Sequence, residues 1–156
     1  MKRFAIIAVL GAVALATTFS VGAWGKGNGH KKARGHSVTV IEHATTDATT
    51  DTGTAGDSAG DVLTFANDVF DAKDANKVGT DNGYCIRTVA GAAYECNWTA
   101  FLPGGQITVE GPFYDAKDST LAITGGTGRY RHVRGTMDLQ SREGGTKYAF
   151  VFHLNS

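Results

Sequence analysis

At 156 residues the chain is long enough for one domain with a proper core and too short for two. Its 15 Lys and Arg balance 15 Asp and Glu, which removes any general electrostatic attraction to nucleic acid or an anionic membrane. The 21 glycines follow no G-X-Y period, so collagen is excluded, and with only 2 prolines they suit an all-β protein with many tight corners.

Lys2 and Arg3 precede the apolar run FAIIAVLGAVALA, followed by small residues. A positive n-region, an apolar h-region and a small-residue cleavage site make a signal peptide, assigned to residues 1–23. Cleavage after Ala16 and cleavage after Ala23 both fit. An uncleaved anchor is the alternative, although the run is short for spanning. The leader looks bacterial, so the expected location is secreted or extracytoplasmic, with the mature form outside the membrane. Residues 24–36, WGKGNGHKKARGH, are basic and Gly-rich and read as a flexible linker. Lys26, Lys31, Lys32 and Arg34 are the residues that would touch a polyanion, but no aromatic-interleaved basic surface follows, and no nucleic-acid partner is expected.

The folded domain is expected over residues 37–156. Ser37 to His43 alternates, with Val38, Val40 and Glu42 on one face and Thr39 and Ile41 on the other, as a first strand does. Residues 44–60 are rich in Thr, Asp and Gly without a period and read as a long loop, functional or disordered. Strand signals then arrive at short spacing: Val62 to Phe70, a new strand from Lys77, and later Leu121 to Thr124, His132 to Leu139 and Tyr148 to Leu154. No segment holds a helical period. About eight strands with short connections point to a sandwich or a closed barrel.

Cys85 and Cys96 enclose a segment that reverses at Ala90-Gly91, which sets the two cysteines directly opposite each other. In an oxidising compartment that register predicts a disulfide; two free buried thiols are the alternative. Cys85, Arg87 and Val89 share a face that Tyr94, Cys96 and Trp98 continue. Arg87 is read as outward, with Ile86 and Thr88 pointing in; were it inward, it would need a partner such as Glu42. Both faces of the last strand are partly apolar, which suggests a homo-oligomer, dimer or trimer. The corner Gly125-Gly126-Thr127-Gly128 lacks the helix and lysine that a phosphate-cradling loop needs and reads as structural. The histidines form no metal-ligand pattern, and no GxSxG elbow is present. Asn97-Trp98-Thr99 fits a glycosylation sequon but sits mid-strand.

GDVLTFANDVFD, KVGTDNGYC, GQITVEGPFY and LAITGGTGRYRHVRG, in that order, resemble the allene oxide cyclase/dirigent superfamily over Val38 to Leu154. The resemblance implies an all-β, eight-stranded antiparallel up-and-down barrel with an apolar cavity, often trimeric. It also implies steric moulding of a reactive hydrophobic molecule without cofactor or metal, a carboxylate stabilising developing positive charge. Glu42 matches that carboxylate as the catalytic candidate. Asn67 and Cys85 match cavity residues, and Phe113 stands where the family's cyclases have a Tyr after Gly-Pro. Ala44 replaces an Asn of those cyclases, and their Ser-Pro has no counterpart, which argues against allene oxide cyclase activity itself. The expected function is therefore a dirigent-like or cyclase-like barrel. It would bind a hydrophobic small molecule or reactive intermediate and steer its cyclisation or coupling, with an oxidative enzyme as the implied supplier. If a catalyst, it is of isomerase type; the alternative is a non-catalytic barrel that binds a lipid-like ligand or serves at the cell surface.

Overall fold

The computed structural model describes residues 35–155, so the expected signal peptide and all but the end of the basic segment lie outside the described residues. The strands are β1 (His36–His43), β2 (Ala48–Thr50), β3 (Val62–Phe65), β4 (Asp68–Asp71), β5 (Lys77–Val89), β6 (Ala93–Leu102), β7 (Gly105–Tyr114), β8 (Ser119–Gly126), β9 (Arg134–Arg142) and β10 (Lys147–Asn155). Every pairing is antiparallel. Neighbours run β2-β3-β5-β4-β1-β10-β9-β8-β7-β6, and a further pairing of β5 with β6 closes the cylinder. β3 and β4 lie end to end along β5 as one interrupted stave, and β2 pairs only with β3 outside the ring. The result is a closed eight-stranded barrel.

Alternation along each stave separates inside from outside. Val40 and Glu42 of β1, Cys85 and Arg87 of β5, Trp98 and Ala100 of β6, and Phe150, Phe152 and Leu154 of β10 are buried, while most of their strand neighbours are half-buried or exposed. Register sorts these side chains between the two ends. His36 pairs with Leu154 at one end of β1, and Glu42 pairs with Tyr148 at the other. Around the first end Ile107, Ile123, Met137 and Phe152 pack with Tyr130 and Val133 into a filled core. The glycine corner seals this end. Gly128 has φ +58°, and a Cβ there would meet the Gly104 carbonyl oxygen at 2.2 Å. Gly128–Tyr130 form a 3-10 turn, so the residues read as the start of a strand at His132 turn first, and β9 begins at Arg134.

The second end is open. The β7–β8 ladder runs over Ile107–Glu110, and beyond it the strands stay in contact through Gly111 against Leu121 and the Tyr114 N–H donated to Ser119 Oγ at 3.0 Å. The turn that connects them lines the rim.

Three details differ from the sequence reading. Val62 to Phe70 is broken at Ala66-Asn67 instead of running as one strand. The 44–60 loop carries the short strand β2. In the β5–β6 hairpin Cys85 faces Cys96 as expected, but a bulge after Arg87 shifts the tip, and Val89 faces Ala93. On the outer surface, the large exposed apolar side chains are Tyr84, Ile86 and Val89 of β5, and on β10 Val151 is half-buried.

Candidate functional site: a half-open cavity at the unfilled end

The open end encloses a cavity of about 660 Å³, within the range of small-molecule sites. Its wall is aromatic. Phe65 meets Trp98 edge-on at 5.9 Å between ring centres, and Trp98 meets Phe150 at 5.6 Å. Phe113 meets Tyr148 at 5.8 Å and Tyr94 at 6.2 Å. Room for the indole comes from Gly83 opposite it in β5, where a Cβ would meet the Trp98 Cβ at 2.2 Å. The Trp98 Nε1–H is buried without an acceptor. Leu63 and Leu139 complete the apolar lining.

The cysteine pair is part of this wall. Cys85 and Cys96 form a disulfide across β5 and β6, and both line the cavity. The bridge that staples the hairpin therefore also shapes the site.

Arg87 corrects the sequence reading. It points inward, 8% exposed, while Ile86 and Thr88 face solvent. Its guanidinium lies 3.6 Å over the Tyr94 ring, and its Nη1 donates to both carboxylate oxygens of Asp115 at 2.8 Å. Nε lies 2.7 Å from Asp57 Oδ1, an ion contact without hydrogen-bond alignment. Glu42 is not its partner. The parity signal was sound, since Arg87 shares the face of Cys85; its compensating acids come from segments far along the chain.

Glu42 projects from the end of β1 into the cavity and is 5% exposed. Asn67, at the β3–β4 break, organises its surroundings. The amide Nδ2 donates to Glu42 Oε1 and to Asp47 Oδ1, each at 2.8 Å. Its Oδ1 accepts from the Thr45 and Thr46 backbone N–H groups and the Thr46 hydroxyl, all at 3.0 Å. Those contacts fix the amide orientation, because only the nitrogen can face carboxyl oxygens. Asn67 is thus a buried hub holding Glu42 in place from behind; Glu42, Cys85 and Phe113 are on the cavity wall, and Asn67 is not.

Asp81 was missed. It lies on β5 with the inward parity of Cys85 and Arg87, and counting by twos from the cysteine finds it. It is 1% exposed and sits against Glu42. Burial, and then the Asp81 carboxyl, push the Glu42 pKa up to about 9, against the Asn67 hydrogen bond that lowers it. Burial also raises Asp81, while the hydrogen bond from Glu42 opposes that rise. The pair therefore holds a proton at neutral pH, with Glu42 the more strongly raised member, and Asp81 Oδ2 is buried without a hydrogen-bond partner. Burial, with Asp47, Glu42 and Asp115 nearby, raises the Tyr148 phenol. Among the described residues no group of three or more His, Cys, Asp or Glu side chains is placed to hold a metal ion.

The family model for allene oxide cyclase matches residues 34–156, the whole described barrel. The chain belongs to the allene oxide cyclase family. Among solved structures, a pyocyanin demethylase is 26% identical, with 75% of this chain and 100% of that one aligned at a TM-score of 0.65. AbnU, an exo-specific intermolecular Diels–Alderase, is 16% identical over 78% of this chain and 98% of its own, at 0.64. A pterocarpan synthase dirigent protein is 12% identical over 79% and 86%, at 0.62. The last two share the fold. In this allene oxide cyclase family barrel the cavity lies where one end of the cylinder is left unfilled.

Proposed function

We propose that this barrel is an exported, cofactor-independent steering protein that binds an aromatic or otherwise hydrophobic small molecule and directs its cyclisation or coupling. The single observation that carries this reading is the half-open cavity of about 660 Å³ whose aromatic wall ends on a buried, protonated Glu42. Solved structures with the same fold include a Diels–Alderase and a dirigent protein, which favours steering over simple storage.

The chemistry available to the residues is modest and specific. Trp98, Phe113 and Phe150 restrict a ligand to few conformers and exclude water, and lost conformational freedom of this kind lowers a ring-closing barrier. The unpartnered Trp98 N–H suits a ligand acceptor such as a carbonyl oxygen. Glu42, neutral at pH 7, supplies a proton or hydrogen bond to a developing negative centre. The negative charge then left on Glu42 would face the Asp81 carboxyl, a cost that keeps the proton on Glu42 unless a substrate draws it.

The test is to fill the cavity. Leu63→Trp or Leu139→Trp places an indole in that volume, and each is compared with the wild type for quenching of Trp98 fluorescence by acridine at pH 8, where the dye is neutral. Wild-type quenching that saturates, and its loss in both variants with unchanged far-UV circular dichroism, is expected. Undiminished binding in folded, filled variants would place the ligand elsewhere and end the reading.

A further inference from the structure

A balanced total charge does not fix where the charges sit. The filled end of the barrel is built by residues 35–38, 102–106, 125–135 and 154–155, and these segments contain no Asp or Glu. They do contain Arg129, Arg131, His132 and Arg134, all exposed, and His36 lies beside them. Among the described residues none of the three arginines is in a salt bridge. Asp138, the next acid along β9, is taken up by Thr120 and His153. The glycine corner places these cations. Gly104, with φ +90°, leaves room for the Arg129 stem, since a Cβ there would meet Arg129 Cδ at 2.6 Å. Arg134 Nη1 donates to the Val133 carbonyl oxygen at 2.8 Å. His36, Arg129, Arg131 and His132 line a concavity of about 370 Å³.

The opposite end has the opposite sign. Asp47, Asp115 and Asp118 are exposed around the cavity mouth, with Lys117 the exposed cation of that lining. The chain also enters β1 at the basic end, where His36 pairs with Leu154, and the sequence before it carries Lys26, Lys31, Lys32 and Arg34. Four more cations are therefore tethered to the same pole. A cluster of about four to eight Lys and Arg is the size that recognises an anionic lipid surface, and the guanidinium fork matches a phosphate with two N–H bonds. Lipid phosphates fit this pole better than nucleic acid does. Tyr130, the aromatic side chain of these segments, is buried and offers no face for a base to stack on.

We propose that the filled end is a docking surface for an anionic phospholipid membrane, with Arg129, Arg131 and Arg134 set among the lipid phosphates. The inference is independent of what the cavity binds. It fixes how the barrel stands. The acidic rim is held off a surface of its own sign, and the cavity mouth faces the aqueous side, so a ligand enters from water. Attachment is peripheral, because the apolar side chains of this pole, Tyr130, Val133 and Leu154, are buried in the barrel and none is free to insert. Exposed charges carry the attraction, and salt therefore weakens it.

The test is flotation of the exported protein with vesicles of phosphatidylglycerol or of phosphatidylcholine. At an ionic strength of about 0.01 M, where charges act over about 30 Å, the protein should bind phosphatidylglycerol about tenfold or more tightly than phosphatidylcholine. That preference should vanish at about 1 M, where the range is about 3 Å. Arg129→Gln/Arg131→Gln should weaken binding by about tenfold. Lys73→Gln/Arg142→Gln removes the same charge from exposed positions elsewhere and should change binding by less than about twofold. Unchanged far-UV circular dichroism checks the fold of both, and Arg134→Gln alone should give a smaller loss of the same kind. Equal binding to the two lipids, binding that persists at high salt, or equal losses in the two double variants overturns the proposal. Duplex DNA that competes better than phosphatidylglycerol, compared per phosphate, would make the pole a nucleic-acid surface and overturn it as well.

Discussion

The proton on Glu42 makes the stability of the barrel depend on pH, and the sign can be worked out. The carboxyl has an ordinary value of 4.5 when unfolded and about 9 when folded. The folded state thus binds the proton more tightly, and stability falls as pH climbs from about 4.5 towards about 9. Asp81, also raised, adds a loss of the same sign. Chemical unfolding at pH 5 and pH 8 should show a wild-type loss on the order of 4 kcal/mol. Glu42→Gln, which has nothing to ionise, should show a clearly smaller one; equal losses would place the proton elsewhere. At this scale the sequence was informative about identity and poor about state. Glu42 was legible only through the family resemblance, and its charge depends on Asp81, Asp47 and Asn67, which reach it through folding. Arg87 shows the same limit. Its place on the Cys85 face was readable, but the direction that face points and its two acid partners were not.

Elements bring those residues together through two irregularities. The break at Ala66-Asn67 interrupts one stave; the Asn67 backbone still exchanges both hydrogen bonds with Asp81, while its side-chain amide bonds the Thr45 and Thr46 N–H groups and the Glu42 and Asp47 carboxyls. The β5–β6 hairpin carries the other, a bulge after Arg87 beyond the Cys85–Cys96 bridge. A bridge closing a loop with a sequence separation of 11 should stabilise by about 3 kcal/mol. The Cys85→Ala/Cys96→Ala double variant is expected to lose about that much in urea unfolding, and a loss near zero would mean the hairpin holds its register without the staple. The facing of the cysteines was legible because a hairpin register is a local property. The broken stave was not, because Ala66-Asn67 carries no proline or glycine to announce it.

The whole molecule divides into a solid end and a hollow end, and mutation can read the division. Phe152 is fully buried in the filled core, whereas Phe113 is half-buried on the cavity wall. Phe152→Ala should cost roughly 3–5 kcal/mol, the range for opening a hole in a packed core. Phe113→Ala, already beside empty space, should cost only about 1 kcal/mol while weakening ligand binding. Thermal or urea unfolding of both variants checks the contrast. Similar costs would mean that the cavity collapses around its ligand-free state and the unfilled end is not a stable feature.

What the sequence by itself determined is the all-β class, which residues share a face in the first strand, the cysteine hairpin and the last strand, the cysteine pairing and the glycine corner. All of these depend on residues close along the chain, where the period of two and turn chemistry act. Closure of β5 onto β6, the end of the β7–β8 ladder at Glu110, and the raised pKa of Glu42 were decided only by the tertiary structure. Each depends on which distant segments become neighbours, and burial, charge and empty volume at a point in space are set by those neighbours together.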